Sequence, residues 1–140
     1  MADKSKLIAG LNQDLANELG TVILYLYQTS IAPGFDGEEL REFLRVEITG
    51  ELNHAIFLAD KVVALGGDPT MKATKFDTPK NVKGMLKFDL KLELDTVENY
   101  KKRAQQADAA GETGLKVKLE DMIAEETAHA EQIARILKAF

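Results

Sequence analysis

One internal regularity limits this chain more than any other feature: a shift of 75 residues superimposes its most unusual side chains. Glu18 falls on Glu93, Glu51 on Glu126 and His54 on His129, while Leu15, Leu19, Val22 and Tyr25 fall on Leu90, Leu94, Val97 and Tyr100. Glu51 follows Glu18 by 33 residues, and Glu126 follows Glu93 by the same 33. A chain built this way reads as a duplicated unit whose halves are related by a pseudo-twofold axis.

Proline and glycine divide each half once more. Pro33, Gly34 and Gly37 mark one break, Gly66, Gly67 and Pro69 a second, and Gly111 and Gly114 a third, with Pro79 as a further stop. The segments left between them, roughly 5–31, 37–65, 80–110 and 113–139, are rich in Leu, Ala, Glu and Lys and show no period-2 alternation. Each carries an apolar stripe at helical spacing: Leu11, Leu15, Val22 and Tyr25; Leu40, Leu44, Leu58 and Leu65; Leu86, Leu90, Val97 and Tyr100; Leu115, Leu119, Met122, Ile133 and Ile136. The expected fold is all-α, one domain over residues 1–140. The short outer connections make antiparallel hairpins. The stretch 66–79, at roughly 3.3 Å per residue, is long enough to cross the whole bundle between the hairpins. Gly66 is the expected left-handed stop of the second helix.

Charged residues interrupt these stripes where a core side chain is called for. Glu18 lies between Leu15 and Val22, and Glu93 between Leu90 and Val97. The chain's two histidines both stand three residues after a glutamate, in Glu51-Leu-Asn-His54 and Glu126-Thr-Ala-His129, so each pair shares a helix face. A lone glutamate on an apolar stripe is usually a boundary residue, and a lone Glu-x-x-His is a weak signal. Six such residues repeated at one offset are a strong one. Four carboxylates in a core repel one another, and burying them unpaired is very costly. Two divalent cations would neutralise them, and mixed carboxylate and imidazole ligation suits iron, manganese or zinc. Asp14 and Asp89, one turn before Glu18 and Glu93, are candidates to orient the imidazoles, or else exposed acidic residues. Tyr25, Tyr100, Met85 and Met122 read as core.

Composition removes other classes. With no cysteine there is no disulfide, thiolate metal site or cysteine nucleophile. Apolar residues at 45% and charged residues at 29% suit a globular chain. The net charge is −5 and the lysines do not line one face, so nucleic acid is not an expected partner. No apolar run is long enough to cross a bilayer and the N-terminus does not resemble a signal peptide, which leaves the cytoplasm as the default location.

From Leu11 to Leu137 the sequence resembles the ferritin-like superfamily, and bacterioferritin most closely. The motifs are Asn17-Glu18-Leu19 with Tyr25, Glu47 with Glu51-x-x-His54, Leu92-Glu93-Leu94-Asp95, and Glu125-Glu126-x-x-His129. The resemblance implies a ferroxidase and iron-storage protein. Two Fe(II) ions are oxidised by O₂ or H₂O₂, and ferric iron passes to a store inside a protein shell. Glu51 and Glu126 would bridge the ions, Glu18 and His54 would complete one, Glu93 and His129 the other, and Tyr25 would supply an electron. Four positions depart from the pattern. Leu52 stands where bacterioferritins usually place the haem-ligating methionine, so haem held in that way is not expected. Val46 and Gly50 replace the histidine and aspartate of the inner-surface iron site, and Gln132 replaces an aromatic. With the chain ending at Phe140, the fifth helix of 24-subunit shells is not expected, which favours a 12-subunit shell. The alternatives are a rubrerythrin-like di-iron peroxidase, which requires a further glutamate where this chain has Thr96, and a metal-free structural bundle.

Overall fold

The computed structural model describes residues 4–140, which form four long helices: α1 (Lys4–Ile31), α2 (Glu38–Ala64), α3 (Val82–Ala109) and α4 (Thr113–Leu137). Among the described residues there is no strand. The helix limits lie within two residues of those predicted. α1 packs most extensively on α2, and α3 on α4, as two hairpins. α3 runs antiparallel to α1, since Tyr25 and Gln28 pair with Glu93 and Asp89 in reversed order.

Local chemistry sets the ends. α2 stops in a Schellman turn: Gly66, at φ +93°, donates to the Val63 carbonyl, and Gly67 to that of Val62. α3 closes the same way around Gly111, at φ +74°, with Glu112 donating to Ala107. At the start of α3 the Asn81 side chain accepts from the Gly84 amide at 2.7 Å, which moves the first helical residue to Val82 rather than to 80.

The long connection runs back along α1, so that α2 and α3 are parallel. Asn12 holds its beginning, donating to the Asp68 carbonyl (3.0 Å) and accepting from the Thr70 amide (2.9 Å). Further on, the Thr74 amide donates to the Ala16 carbonyl (2.9 Å) and its hydroxyl to Asn17 (2.7 Å). Gly20 leaves the room this needs: a Cβ there would sit 2.2 Å from the Thr74 carbonyl oxygen. Phe76 meets Phe88 edge-on at 6.2 Å, which fixes the crossover to α3.

The core is split in two. One cluster gathers Leu7, Leu11, Leu15, Leu58, Val62, Leu115, Leu119 and Met122. The other gathers Leu24, Leu40, Leu44, Met85, Leu86, Ile133 and Ile136. Between them lies a layer of buried polar side chains. Met85, Met122, Tyr25 and Tyr100 are fully buried, as predicted, whereas Leu52 is exposed on α2. No helix among the described residues is long and apolar enough to cross a membrane.

Candidate metal centre

All six residues predicted from the repeat converge in the polar layer between the two half-cores. Two overlapping groups form: Glu18, Glu51, His54 and Glu126, and Glu51, Glu93, Glu126 and His129, each with ligand-type atoms within 4.8 Å of one another. Glu51 and Glu126 belong to both. His54 Nδ1 lies 3.6 Å from Glu18, 3.7 Å from Glu51 and 3.1 Å from Glu126, without hydrogen-bond alignment. His129 Nδ1 lies 3.6 Å from Glu51 and 3.7 Å from both Glu93 and Glu126.

The inward-facing atoms have no hydrogen-bond partner. Glu18 Oε2, Glu51 Oε1, Glu93 Oε2, both oxygens of Glu126 and Nδ1 of each histidine are buried and unpaired. Buried polar atoms are ordinarily satisfied, and each orphan costs roughly 1–3 kcal/mol. Seven in one layer suit cations at the centre, coordinated by oxygen and imidazole nitrogen.

The outward-facing atoms are held firmly. Tyr25 donates to Glu93 at 2.6 Å and Tyr100 to Glu18 at 2.7 Å, a matched pair under the 75-residue shift. Sequence reasoning gave Tyr100 no such role, although the repeat maps it onto Tyr25. His54 Nε2 pairs with Glu125 at 2.6 Å, and His129 Nε2 with Glu47. Each imidazole is thus fixed by a carboxylate from the other helix, which sets the ring so that Nδ1 points inward. These partners break the repeat, because Gly50 and Met122 stand at the positions equivalent to Glu125 and Glu47. The expectation that Asp14 and Asp89 orient the imidazoles, or are exposed, is therefore corrected. Both are buried one rung further along the α1–α3 seam, with Asp14 on Arg103 and Asp89 on Gln28.

Electrostatics follow from this crowding. Burial pushes Glu51 and Glu126 well above the usual carboxylate range, and the neighbouring carboxylates add to the shift. Burial acts on Glu93 in the same sense, but the close approach of Glu126 and His129 and the hydrogen bond from Tyr25 outweigh it and lower its pKa. For the histidines burial favours the neutral ring. Glu18, Glu51 and Glu125 overcome this at His54, and Glu47 and Glu93 at His129, raising each to about 9.

With four helices, one long crossover and a paired carboxylate–histidine layer, the chain defines itself as ferritin-like, and residues 8–140 match the sequence profile of the ferritin-like domain: it belongs to that family. Its relatives narrow the comparison. A ferritin-like, diiron-carboxylate protein from Bacillus anthracis superposes with a TM-score of 0.94 at 39% identity, over 98% of this chain and 99% of that one. The bacterioferritin of Desulfovibrio desulfuricans, whose structure describes a diiron site, superposes at 0.89 with 28% identity, over 96% and 80% of the two chains. The bacterioferritin of Brucella melitensis is 28% identical over 92% of this chain and 81% of its own.

Proposed function

We propose that this protein is a ferroxidase and iron-storage protein, one ferritin-like unit per chain. It takes two Fe(II) ions as substrate into a single intrasubunit site and passes their electrons to O₂ or H₂O₂. The observation that carries this reading is the set of seven orphaned donor atoms facing one point between the half-cores. The diiron-carboxylate relative and the bacterioferritins support it.

Glu18 and His54 are assigned to one ion, Glu93 and His129 to the other, with Glu51 and Glu126 shared. The chemistry supplied by the loaded site is a paired two-electron transfer: two Fe(II) become two Fe(III), and O₂ with two protons becomes H₂O₂, or H₂O₂ with two protons becomes water. The protein's own part is positioning. Tyr25 and Tyr100 anchor the terminal carboxylates, Glu47 and Glu125 anchor the imidazoles, and the apolar half-cores keep bulk water out. Thr96, where the peroxidase alternative requires a glutamate, turns its hydroxyl onto the Leu92 carbonyl and adds no ligand. Tyr25 touches a ligand, so an electron-donating role is open to test: Tyr25→Phe should remove any tyrosyl radical trapped by rapid freezing.

Storage requires a shell of copies, proposed as 12 subunits. Exposed Ile23 and Leu26 on α1, with Leu52 and Ile56 on α2, supply apolar surface for such contacts. Anaerobic Fe(II) titration of the metal-free protein followed by O₂ should show a break at two per chain and rapid oxidation. Glu51→Ala and Glu126→Ala should each lose the fast phase by at least tenfold. Fast oxidation retained in either variant contradicts the shared-ligand assignment, and a monomer or dimer in light scattering removes storage.

A further inference from the structure

Beyond each tyrosine the α1–α3 seam carries one more buried rung, and the two rungs differ. At one end the Arg103 guanidinium clasps Asp14, with Nε at 2.8 Å and Nη2 at 3.3 Å. The 75-residue shift carries Asp14 onto Asp89 and Gln28 onto Arg103. At the other end, therefore, a neutral carboxamide replaces the guanidinium: Gln28 Nε2 donates to Asp89 Oδ1 at 2.9 Å. Both residues are 0% exposed, and Asp89 Oδ2 and Gln28 Oε1 have no hydrogen-bond partner.

Among the described residues no cation pairs with Asp89. The titratable groups facing it are Glu93, one turn along α3, and Tyr25 from α1. The half-core at this end receives Leu40 and Leu44 from α2, with Ile133 and Ile136 from α4. An ionised carboxylate here would place a charge in an apolar layer beside an amide oxygen that needs a donor. One proton on Asp89 satisfies both orphans at once. Oδ1 keeps the bond from Nε2, and a hydroxyl at Oδ2 donates to Gln28 Oε1, closing an acid–amide ring.

We propose that Asp89 and Gln28 form a neutral, proton-holding pair beside the Tyr25–Glu93 rung, where the Asp14–Arg103 ion pair stands beside the Tyr100–Glu18 rung. The two halves of the centre are then backed by the same net charge, one through fixed charges and the other through a removable proton. Burial, with Glu93 adding to it, raises Asp89 to about 8 despite the bond from Gln28. Burial raises Asp14 only to about 6, with Arg103 offsetting part of it.

The test uses the metal-free protein. Carbon-13 NMR of labelled aspartate carboxyls, assigned through bonds, should show Asp89 protonated over ionised by roughly tenfold at pH 7. Gln28→Arg, which copies the other end, should bring its midpoint down towards that of Asp14. An Asp89 signal already ionised below pH 6 in the natural protein overturns the proposal, as does a midpoint that Gln28→Arg leaves unmoved. Stability gives a second reading. Between about pH 4 and 8 the native chain holds a proton that the unfolded chain has lost, so this group's contribution falls as pH rises. Asp89→Asn keeps both ring bonds and should remove this group's share of the decline, whereas Asp89→Leu should lower stability at every pH. A decline unchanged in Asp89→Asn refutes the pair.

Discussion

Loading the centre with metal must expel protons, and the number expelled is the most exacting check on the electrostatics. His54 and His129, each near 9, are almost fully protonated at pH 7, yet a metal-bound Nδ1 cannot keep its proton. Two pH units below the pKa, removing each proton costs about 3 kcal/mol, which weakens binding by about a hundredfold per histidine. Glu51 and Glu126 are also displaced upward, so they add to the count. Co(II), which would not be oxidised by O₂ as the proposed iron substrate is, is a suitable probe, followed by its visible absorbance. Between pH 6 and 8 the product of the two binding constants should rise by at least about a hundredfold per pH unit, one decade for each histidine. Calorimetry in two buffers of different ionisation enthalpy should find at least two protons released per chain at pH 7. A slope of one decade or less, or fewer than one proton, would refute the protonated-imidazole description of the metal-free site. In the folding equilibrium the histidines act in the opposite direction: they stabilise the metal-free fold fully below about pH 6.5 and lose that effect as pH rises through about 9.

Three further outcomes test the framework around the centre. Arg103→Leu strands buried Asp14 without its cation and should cost about 3–5 kcal/mol in denaturant unfolding of the metal-free protein. Gly20→Ala forces a methyl into the Thr74 carbonyl; displacing the crossover should cost about 1–3 kcal/mol and expose the segment to proteolysis. Asn81→Ala removes the cap of α3 and should cost about 1 kcal/mol, or a fall of roughly 2–4 °C in Tm.

Much of this was legible in the residues because the repeat and the helical period point the same way. Glu18 and Glu93 stood out as charges on apolar stripes, and the i, i+3 pairs fixed a common face for Glu51 with His54 and Glu126 with His129. Gly66 and Gly111 behave as helix stops because their left-handed conformation completes the turn's hydrogen bonds. What stayed hidden depends on the crossing of helices. Asp14 and Asp89 lie four residues before ligand-type glutamates, which suggests contact with the imidazoles. Their actual partners come from the opposite helix, a pairing that no spacing within one helix can reveal. Glu47 and Glu125 escaped assignment for a related reason. They obey no repeat, and only the approach of α2 to α4 brings them to the histidines.

The unequal rungs of the α1–α3 seam bear on why the two hairpins belong to one chain. In a bundle assembled from two identical hairpins, every choice of residue is made twice. A clasp on one side would bring a second guanidinium to the other, and an amide on one side a second amide. Covalent linkage lifts that requirement. Gln28 and Arg103 occupy equivalent places with different chemistry, and so do Gly50 and Glu125, and Glu47 and Met122. Joining the halves has made the two sides of one centre separately adjustable, so that each side can be altered by substitution without imposing the same change on its counterpart.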